Sequence, residues 1–587
     1  LALYHPRHTI VLNVEEEHLD HYTRGIEQIR EVFNKLLDQT SGSIFYCCEC
    51  EEATQLCGTR DNSISYGWKE ADWTATDLSG QIGTVSFTVN YKGEELGRVQ
   101  LGIPGLHNVL NALGAIAVAS SCGVDFSKMN QALSSFAGAK RRFETKHLSK
   151  RYRIVDDYGH HPTGVAATLQ TARSYEPGRV IVLFQPHRYS RTHKLADDFG
   201  KTLQAADLVF VTDIYAASED PIPGVSGQTI VDAILANGST KASFVPDLST
   251  AHHAVGNILA EGDLFLTLGA GNVHEAGNKI IRDLKVLEEI RNETKVSAIK
   301  LYEPMSRHST MRVGGPAQFW IEPSEFEQLA DSVSFCKARG IPVRIVGRGS
   351  NLLIRDGGIR GAVIHPAGGA FSAVTVEGTT ITAGVGVRFK KVASIAREHG
   401  IGGFEWMEGI PGNVGGGLRM NAGAMGVETF DQVVAVTFLD EDGEIRTRKR
   451  DEIKFYYRNV PELRRNYALK ATFAGVLSDQ QAIQDKLNES RHHRNTTQPK
   501  AASAGCTFKN PAVCGAGQLI DEMGLKETGV GKAEVSPEHG NFIVNRGKAS
   551  AFDVLSLIEK IKAKAKEDRG VILETEIQIL GEDEVVF

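Results

Sequence analysis

Between Thr9 and Leu287 short apolar runs alternate with segments of helical period, and near residue 290 the alternation stops. In "TRGIEQIREVFNKLLDQ" the apolar residues Ile26, Ile29, Val32, Phe33, Leu36 and Leu37 recur at the spacing of one helix face. The later runs "RVIVLF", "LVFVT" and "LFLTLG" read as strands, each preceded by a helix-like segment. Such alternation implies parallel sheets covered by helices. The charged segment "LKVLEEIRNETKVSAIKLYEP" reads as a connector, and beyond it Gly-rich turns, short strands and mixed helices indicate an α+β half. A chain of 587 residues exceeds one hydrophobic core. The expected division is multidomain: 1–140 and 141–287, both α/β, a linker at 288–304, then 305–480 in two subdomains and 481–587.

The first half has no GxxxxGK[ST] loop and no GxGxxG after a strand, the two devices by which backbone amides cradle a nucleotide's phosphates. It carries instead polar clusters at strand ends: "VEEEHLDHY", "GLHNVLNA", "GAKRRFE", "DDYGHHPTG" and "FQPHRYSRTH". Singly each has a bland reading; His18 and His21 fit an exposed helix start, and Arg141 and Arg142 a solvated pair. In this order they resemble the Mur ligase family, in its UDP-N-acetylmuramate:L-alanine branch, over residues 1–285.

That resemblance implies a partial central ATP-binding domain over 1–140 and a Rossmann-like C-terminal domain over 141–287. It implies attack of an alanine amine on an ATP-derived acyl phosphate, with magnesium and cations spreading the phosphoryl charge. By resemblance His18 is a magnesium ligand, and His107, Asn108 and Asn111 line the ATP site. Arg142, Asp157, His160, His161, His187 and Arg188 sit in the cleft with the C-terminal domain. The family's nucleotide-sugar domain and GTHGKT-type phosphate loop would precede Leu1, so the chain, which runs straight into an expected core strand "TIVLNV", reads as a fragment. This half is not expected to make amide bonds as written, and ATP and Mg2+ belong to it only when completed.

In the second half "VRIVGRGSNLLIRDGGIRG" places Gly347, Gly349, Ser350 and Asn351 after a strand, where successive small residues aim backbone N–H groups at a pyrophosphate. "GIPGNVGGGLRMNAGAMG" repeats the device around Gly412, Gly415, Gly416 and Gly417, and glycine lets a backbone approach its ligand closely. Either stretch alone is weak; the two together suggest a dinucleotide held across two subdomains. With "SRHSTMRVGGPA", "YYRN", "SAGCTFKNP", "EHGNFIVN" and "LETEIQILG", they resemble the UDP-N-acetylenolpyruvoylglucosamine reductase family from Leu301 to the C-terminus.

The resemblance implies an FAD domain of the vanillyl-alcohol oxidase type, a C-terminal substrate domain, and NADPH-dependent reduction of an enolpyruvyl ether to a lactyl ether. Asn413 and Asn421 join the glycine-turn residues as cofactor contacts, and Tyr457, Lys509 and Asn510 are assigned to the substrate, Lys509 ranking lowest because it also fits a surface charge. Arg458 and Glu576 fall on the side of the substrate carboxylate, where an Arg fork can hold both oxygens. Hydride addition leaves carbanion character beside that carboxylate, and stabilising charge where it develops is usually the largest catalytic contribution. Cys506 then stands as general acid, since a thiol of reference pKa about 8.5 stays protonated at neutral pH and is a far stronger acid than serine. Outside this motif a lone cysteine reads as a small buried hydrophobe. Two departures from the family pattern are Val460, where serine is frequent, and Gly417, where alanine is.

Composition sets limits. With 41% hydrophobic and 23% charged residues and a formal charge of -7, the chain is globular, with nothing to suggest a nucleic-acid or membrane partner. No apolar run reaches spanning length, and no signal pattern opens the chain. The eight scattered cysteines are expected to be reduced thiols of a cytoplasmic protein. Cys47, Cys48, Cys50 and Cys57, in "CCECEEATQLC", lack zinc-site spacing and read as a cysteine-tolerant strand. The expected partners are nucleotide sugars. A flavin oxidase of the same fold would dispense with NADPH, an active ligase would need the upstream phosphate loop, and a purely structural chain would be expected to have lost one of Arg458, Cys506 and Glu576. Since the ligase consumes the reductase's product, one chain would carry consecutive steps of cell-wall precursor synthesis.

Overall fold

The computed structural model describes residues 1–16, 21–80, 83–512, 514–584 and 587. The chain divides into two compact units, Leu1–Ala251 with Leu259–Ile281, and His252–Ile258 with Arg282–Phe587.

The first unit holds two six-stranded sheets. One runs in chain order through Thr9–Val11, Ile44–Cys47, Ser63–Gly67, Trp73–Ser79, Val85–Tyr91 and Glu94–Leu101. Its first three pairings are parallel and its last two antiparallel. The stretch expected as a core strand is thus an outer one, with Ile10 and Leu12 exposed while Val11 and Val14 are buried. The predicted helix forms over Ile26–Asp38 and buries Ile29, Leu36 and Leu37, the residues at the centre of its apolar stripe.

The second sheet has the order Lys241–Phe244, Leu208–Val211, Arg179–Phe184, Asp263–Leu268, Tyr152–Asp157, Glu144–Leu148. All its pairings are parallel except the last. "RVIVLF" lies inside it, with Val180 to Phe184 all buried, as a central parallel strand requires. The residues following four parallel strands, 158–161, 185–188, 212–215 and 269–272, share the carboxyl edge, where open α/β sheets bind ligands.

The expected linker at 288–304 is regular structure except at 295–298. Residues up to 294 continue the helix His274–Thr294, burying Leu284, Leu287 and Ile290, and Ile299–Pro304 is a strand burying Ile299, Leu301, Tyr302 and Glu303. Glu289 and Glu293 are exposed on a helix whose other face is core, so charge density alone mimicked a connector.

The second unit contains a mixed sheet ordered Ile299–Pro304, Pro316–Ile321, Ile359–Ile364, Val343–Ile345. An antiparallel sheet follows, ordered Val374–Glu377, Thr380–Gly384, Tyr467–Ala474, Val433–Leu439, Ile445–Lys449. A third, ordered Ala502–Cys506, Phe542–Asn545, Ala533–Val535, Gly529–Val530, shares a core with the helix Ala551–Arg569, through Val554, Leu557, Ile558 and Ile561. The helix Phe389–Glu398 shows why the chain folds so locally: Phe389, Val392, Ala393 and Ala396 fall at i, i+3, i+4 and i+7 and all four are buried. A short parallel pair, Leu352–Ile354 with Gln578–Leu580, brings the C-terminal segment beside the turn at 347–351.

Candidate active site and cofactor cleft

A cleft of about 1530 Å³ opens within the second unit, bounded by the turns 347–351 and 409–417 and by residues 498–506 and 576–580. Gly349 needs its glycine: its φ is +64°, and a Cβ would stand 2.3 Å from the carbonyl oxygen of His308. Gly347, Ser350, Asn351, Gly412, Asn413, Gly415 and Gly416 all line the cleft. Asn413 precedes the helix Val414–Met420; its Nδ2 donates to the Gly386 carbonyl at 2.6 Å, and its Oδ1 is buried with no hydrogen-bond partner among the described residues. An orphaned acceptor in a cleft wall is costly until a ligand donor meets it.

Asn351 does more than line the cleft. Its Nδ2 donates to the Glu576 carbonyl at 3.3 Å, and its own carbonyl accepts from Gln578 N at 2.9 Å. The first glycine turn is thereby tied to the segment that carries Glu576. Asn421, expected as a cofactor contact, is fully buried in a left-handed helix cap, with Nδ2 on Glu428 and Oδ1 accepting from Phe430 N at 3.0 Å. Its amide is spent on fixing the chain after the glycine helix and does not reach the cleft. The departure at Gly417 also has a local cause, because a Cβ there would lie 2.1 Å from the Phe389 ring.

Arg458, Cys506 and Glu576 meet on the cleft wall. Arg458 Nε donates to Glu576 Oε1 at 2.9 Å, with both side chains largely buried. Arg458 has φ +55°, a left-handed conformation that costs a non-glycine residue about 1–3 kcal/mol and that clusters at functional sites. Cys506 ends the strand Ala502–Cys506, where the register against Phe542–Asn545 slips between Ser503 and Cys506 and Gly505 has φ +81°. Such a bulge re-aims the side chain that follows it. Burial, and then the Glu576 charge, pushes the Cys506 thiol up to about 11. The thiol therefore keeps its proton at neutral pH.

The expected substrate residues lie off the cleft. Lys509 pairs with Glu574 at 2.9 Å, and Asn510 Oδ1 accepts from Ala516 N at 3.0 Å, the first residue of the helix Ala516–Glu522. Tyr457 is exposed, its ring under the Arg458 guanidinium at 4.7 Å. What the motifs did not reveal is the charge of the walls. Nine arginines and one lysine line the cleft, Arg348, Arg388, Arg419 and Arg494 among them, and Glu576 is the single carboxylate among its described lining residues. These cations are scattered from 307 to 500 in an acidic chain, so only their convergence distinguishes them from surface charges.

In the first unit His18 lies outside the described residues. His107, Asn108 and Asn111 occupy the start of the helix Leu106–Ser121; Asn108 Nδ2 donates to the Pro104 carbonyl at 2.6 Å, and burial lowers the pKa of His107. At the carboxyl edge of the parallel sheet the His160 and His187 rings stand 5.4 Å apart and His187 stacks on Tyr215. Burial and the neighbouring His160 bring His187 down to about 4, so it is neutral at pH 7. Arg188 faces Glu219 at 3.5 Å, Arg142 lies 5.6 Å from the Tyr158 ring centre, and His161 Nδ1 is 3.2 Å from Glu15. Asp157 is buried and spent internally, accepting from Phe143 N, Gly159 N and Thr168 Oγ1. Cys47 and Cys57 are core residues.

Family models match four parts of the chain. Residues 1–119 match "Mur ligase middle domain", 141–271 "Mur ligase, glutamate ligase domain", 317–448 "FAD binding domain", and 498–580 "UDP-N-acetylenolpyruvoylglucosamine reductase, C-terminal domain". Fold and matches define an FAD-binding-domain protein fused to Mur ligase domains. A UDP-N-acetylenolpyruvoylglucosamine reductase of Desulforamulus reducens is 39% identical over 288 residues, 49% of this chain and 95% of the relative. The chain belongs to the UDP-N-acetylenolpyruvoylglucosamine reductase family. A UDP-N-acetylmuramate–L-alanine ligase of Solibacter usitatus is 42% identical over 290 residues, 49% of this chain and 60% of that protein, so the chain spans about three fifths of such ligases. The crystal structure of the reductase from Thermus caldophilus matches at 35% identity and TM-score 0.43, over 47% of this chain and 97% of that one. Among the described residues no helix is long and apolar enough to cross a membrane.

Proposed function

We propose that the second unit is an FAD-dependent reductase, using NADPH to convert UDP-N-acetylenolpyruvoylglucosamine to UDP-N-acetylmuramate, with an FAD domain of the vanillyl-alcohol oxidase type over 305–480 and a substrate domain over 481–587. The observation that carries this reading is the meeting of a protonated thiol, Cys506, with the Arg458–Glu576 pair on the wall of a cationic cleft between two glycine turns. The residues fit the cofactor: the turns offer backbone N–H groups and open space at Gly416, Arg348, Arg388 and Arg494 offset diphosphate charge, and Asn413 Oδ1 lacks only a donor.

Once reduced by NADPH, a bound FAD would supply the hydride that adds to one carbon of the enol double bond. Glu576 occupies Arg458 Nε and leaves the terminal guanidinium nitrogens to hold the substrate carboxylate, where negative charge accumulates as the double bond is lost. Cys506 gives its thiol proton to the carbon beside that carboxylate, completing the lactyl ether, and the thiolate regains a proton from water. Cys506 acts as an acid and not as a nucleophile.

For the first unit we propose the neighbouring chemistry. Its relatives are UDP-N-acetylmuramate–L-alanine ligases, which use the reductase's product. Ligase turnover, with ATP and Mg2+, requires a phosphate loop that these 587 residues do not contain.

The deciding experiment is anaerobic NADPH oxidation by the purified flavin-loaded chain, followed by absorbance with and without the enolpyruvyl nucleotide sugar. Reoxidation of the flavin on addition of this substrate is the expected result. A chain that binds no flavin, or one reoxidised by oxygen alone, would overturn the reading.

A further inference from the structure

Six cleft cations fall into two groups. Arg348 lies inside the first glycine turn, Arg388 bridges backbone to backbone with Asn413 of the second, and the charge of Arg348 in turn acts on Arg494. Those three flank the turns that hold the flavin's diphosphate in the reading above. The other three, Arg344, Arg419 and Arg464, come from the strand Val343–Ile345, the helix Val414–Met420 and the helix Glu462–Arg465. The two helices pack together, and Arg419 Nη1 donates to the carbonyl of Leu463 at 3.3 Å, the residue before Arg464. Burial, then the charges of Arg464 and Arg344, holds the Arg419 guanidinium below the ordinary arginine range.

This second trio has no counter-charge of its own. Arg344 donates to the Val343 carbonyl, Arg419 to that of Leu463, and none of the three pairs with a carboxylate among the described residues. The adjacent carboxylate, Glu462, is engaged by Arg448. Three guanidinium groups gathered on a cleft wall repel one another unless an anion joins them, and guanidinium forks match phosphate oxygens in pairs.

We infer that Arg344, Arg419 and Arg464 form an anion subsite for a phosphate group of a second ligand, distinct from the flavin's diphosphate at the glycine turns. The inference rests on the reductase reading, in which two further phosphate-bearing molecules enter the cleft. One is NADPH, with a 2′-phosphate monoester; the other is the nucleotide sugar, with a diphosphate.

The test uses the whole flavin-loaded chain with Arg344→Gln and Arg464→Gln, both at exposed positions, singly and together. Binding of adenosine 2′,5′-bisphosphate and of inorganic pyrophosphate is measured by calorimetry. Flavin content is read by absorbance, and KM is determined for NADPH, NADH and the nucleotide sugar. The expected result is at least tenfold weaker binding of one anionic probe by the double variant, at unchanged flavin content. A rise in KM for NADPH but not NADH assigns the 2′-phosphate; a rise for the nucleotide sugar assigns the diphosphate. Unchanged affinity for both probes, or loss of flavin in proportion to loss of probe binding, overturns the inference. If the unaltered chain showed no substrate-dependent flavin reoxidation, the reductase reading would fall, while the calorimetric arm would still decide the subsite.

Discussion

Replacing Cys506 with alanine separates the two halves of the proposed reaction. Reduction of the flavin by NADPH needs no proton from Cys506, so the rate of anaerobic bleaching is expected to stay within about twofold. Reoxidation by the enolpyruvyl substrate needs a proton at carbon, and a positioned general acid contributes about 10²–10⁴-fold, or ~3–5 kcal/mol of barrier. Stopped-flow absorbance of the two half-reactions measures both. The thiol also fixes the pH profile. Burial and Glu576 disfavour the charged form and push the thiol up to about 11, so the acid is present from neutral pH upward and is lost only as pH approaches that value. Alkylation by iodoacetamide is therefore expected to be slow at pH 8 and to accelerate toward pH 11. Cys506→Ser, which keeps a protonated but weaker acid in place, should fall between wild type and Cys506→Ala. Undiminished reoxidation in the alanine variant would refute the assignment of the proton donor.

Three further outcomes follow from the geometry. Glu576→Gln removes the partner of Arg458 Nε and the negative charge that helps raise the thiol; turnover should drop at least tenfold and the pH of half-maximal alkylation should move down, whereas an unmoved alkylation profile would count against electrical contact between Glu576 and Cys506. Gly417→Ala places a Cβ 2.1 Å from the Phe389 ring; overpacking of about 1–3 kcal/mol outweighs the ~1 kcal/mol helix-propensity gain, and adding Phe389→Leu should restore the urea midpoint. Lys509→Ala should change KM for the nucleotide sugar less than about twofold, while Asn510→Ala loses the bond to Ala516 N and about 1 kcal/mol of stability; a large KM effect in either would return these residues to the substrate.

The sequence by itself determined the alternating α/β character of the first half, its buried strands "RVIVLF" and "LFLTLG" and the reductase family of the second half. Those signals are local. Apolar period reports which face a segment buries, and a motif such as "SAGCTFKNP" keeps its chemistry within a few residues. Local signals misled where one residue had two possible uses. Asn421, Asn510 and Asp157 are polar residues inside motifs, and the structure spends their side chains on neighbouring backbone. The charged stretch after residue 287 resembled a linker because its buried face shows only in the packed helix.

Tertiary structure alone decided how distant residues meet. Arg458 and Glu576 are 118 positions apart and share one hydrogen bond, and burial, then the Glu576 charge, keeps the proton on the Cys506 thiol of the same cleft wall. The cleft arginines come from separate strands and helices of a chain whose net charge is negative. Composition averages charge over the whole chain, whereas binding depends on the potential inside one low-dielectric cleft, and that potential exists only once folding has brought those side chains onto the same wall.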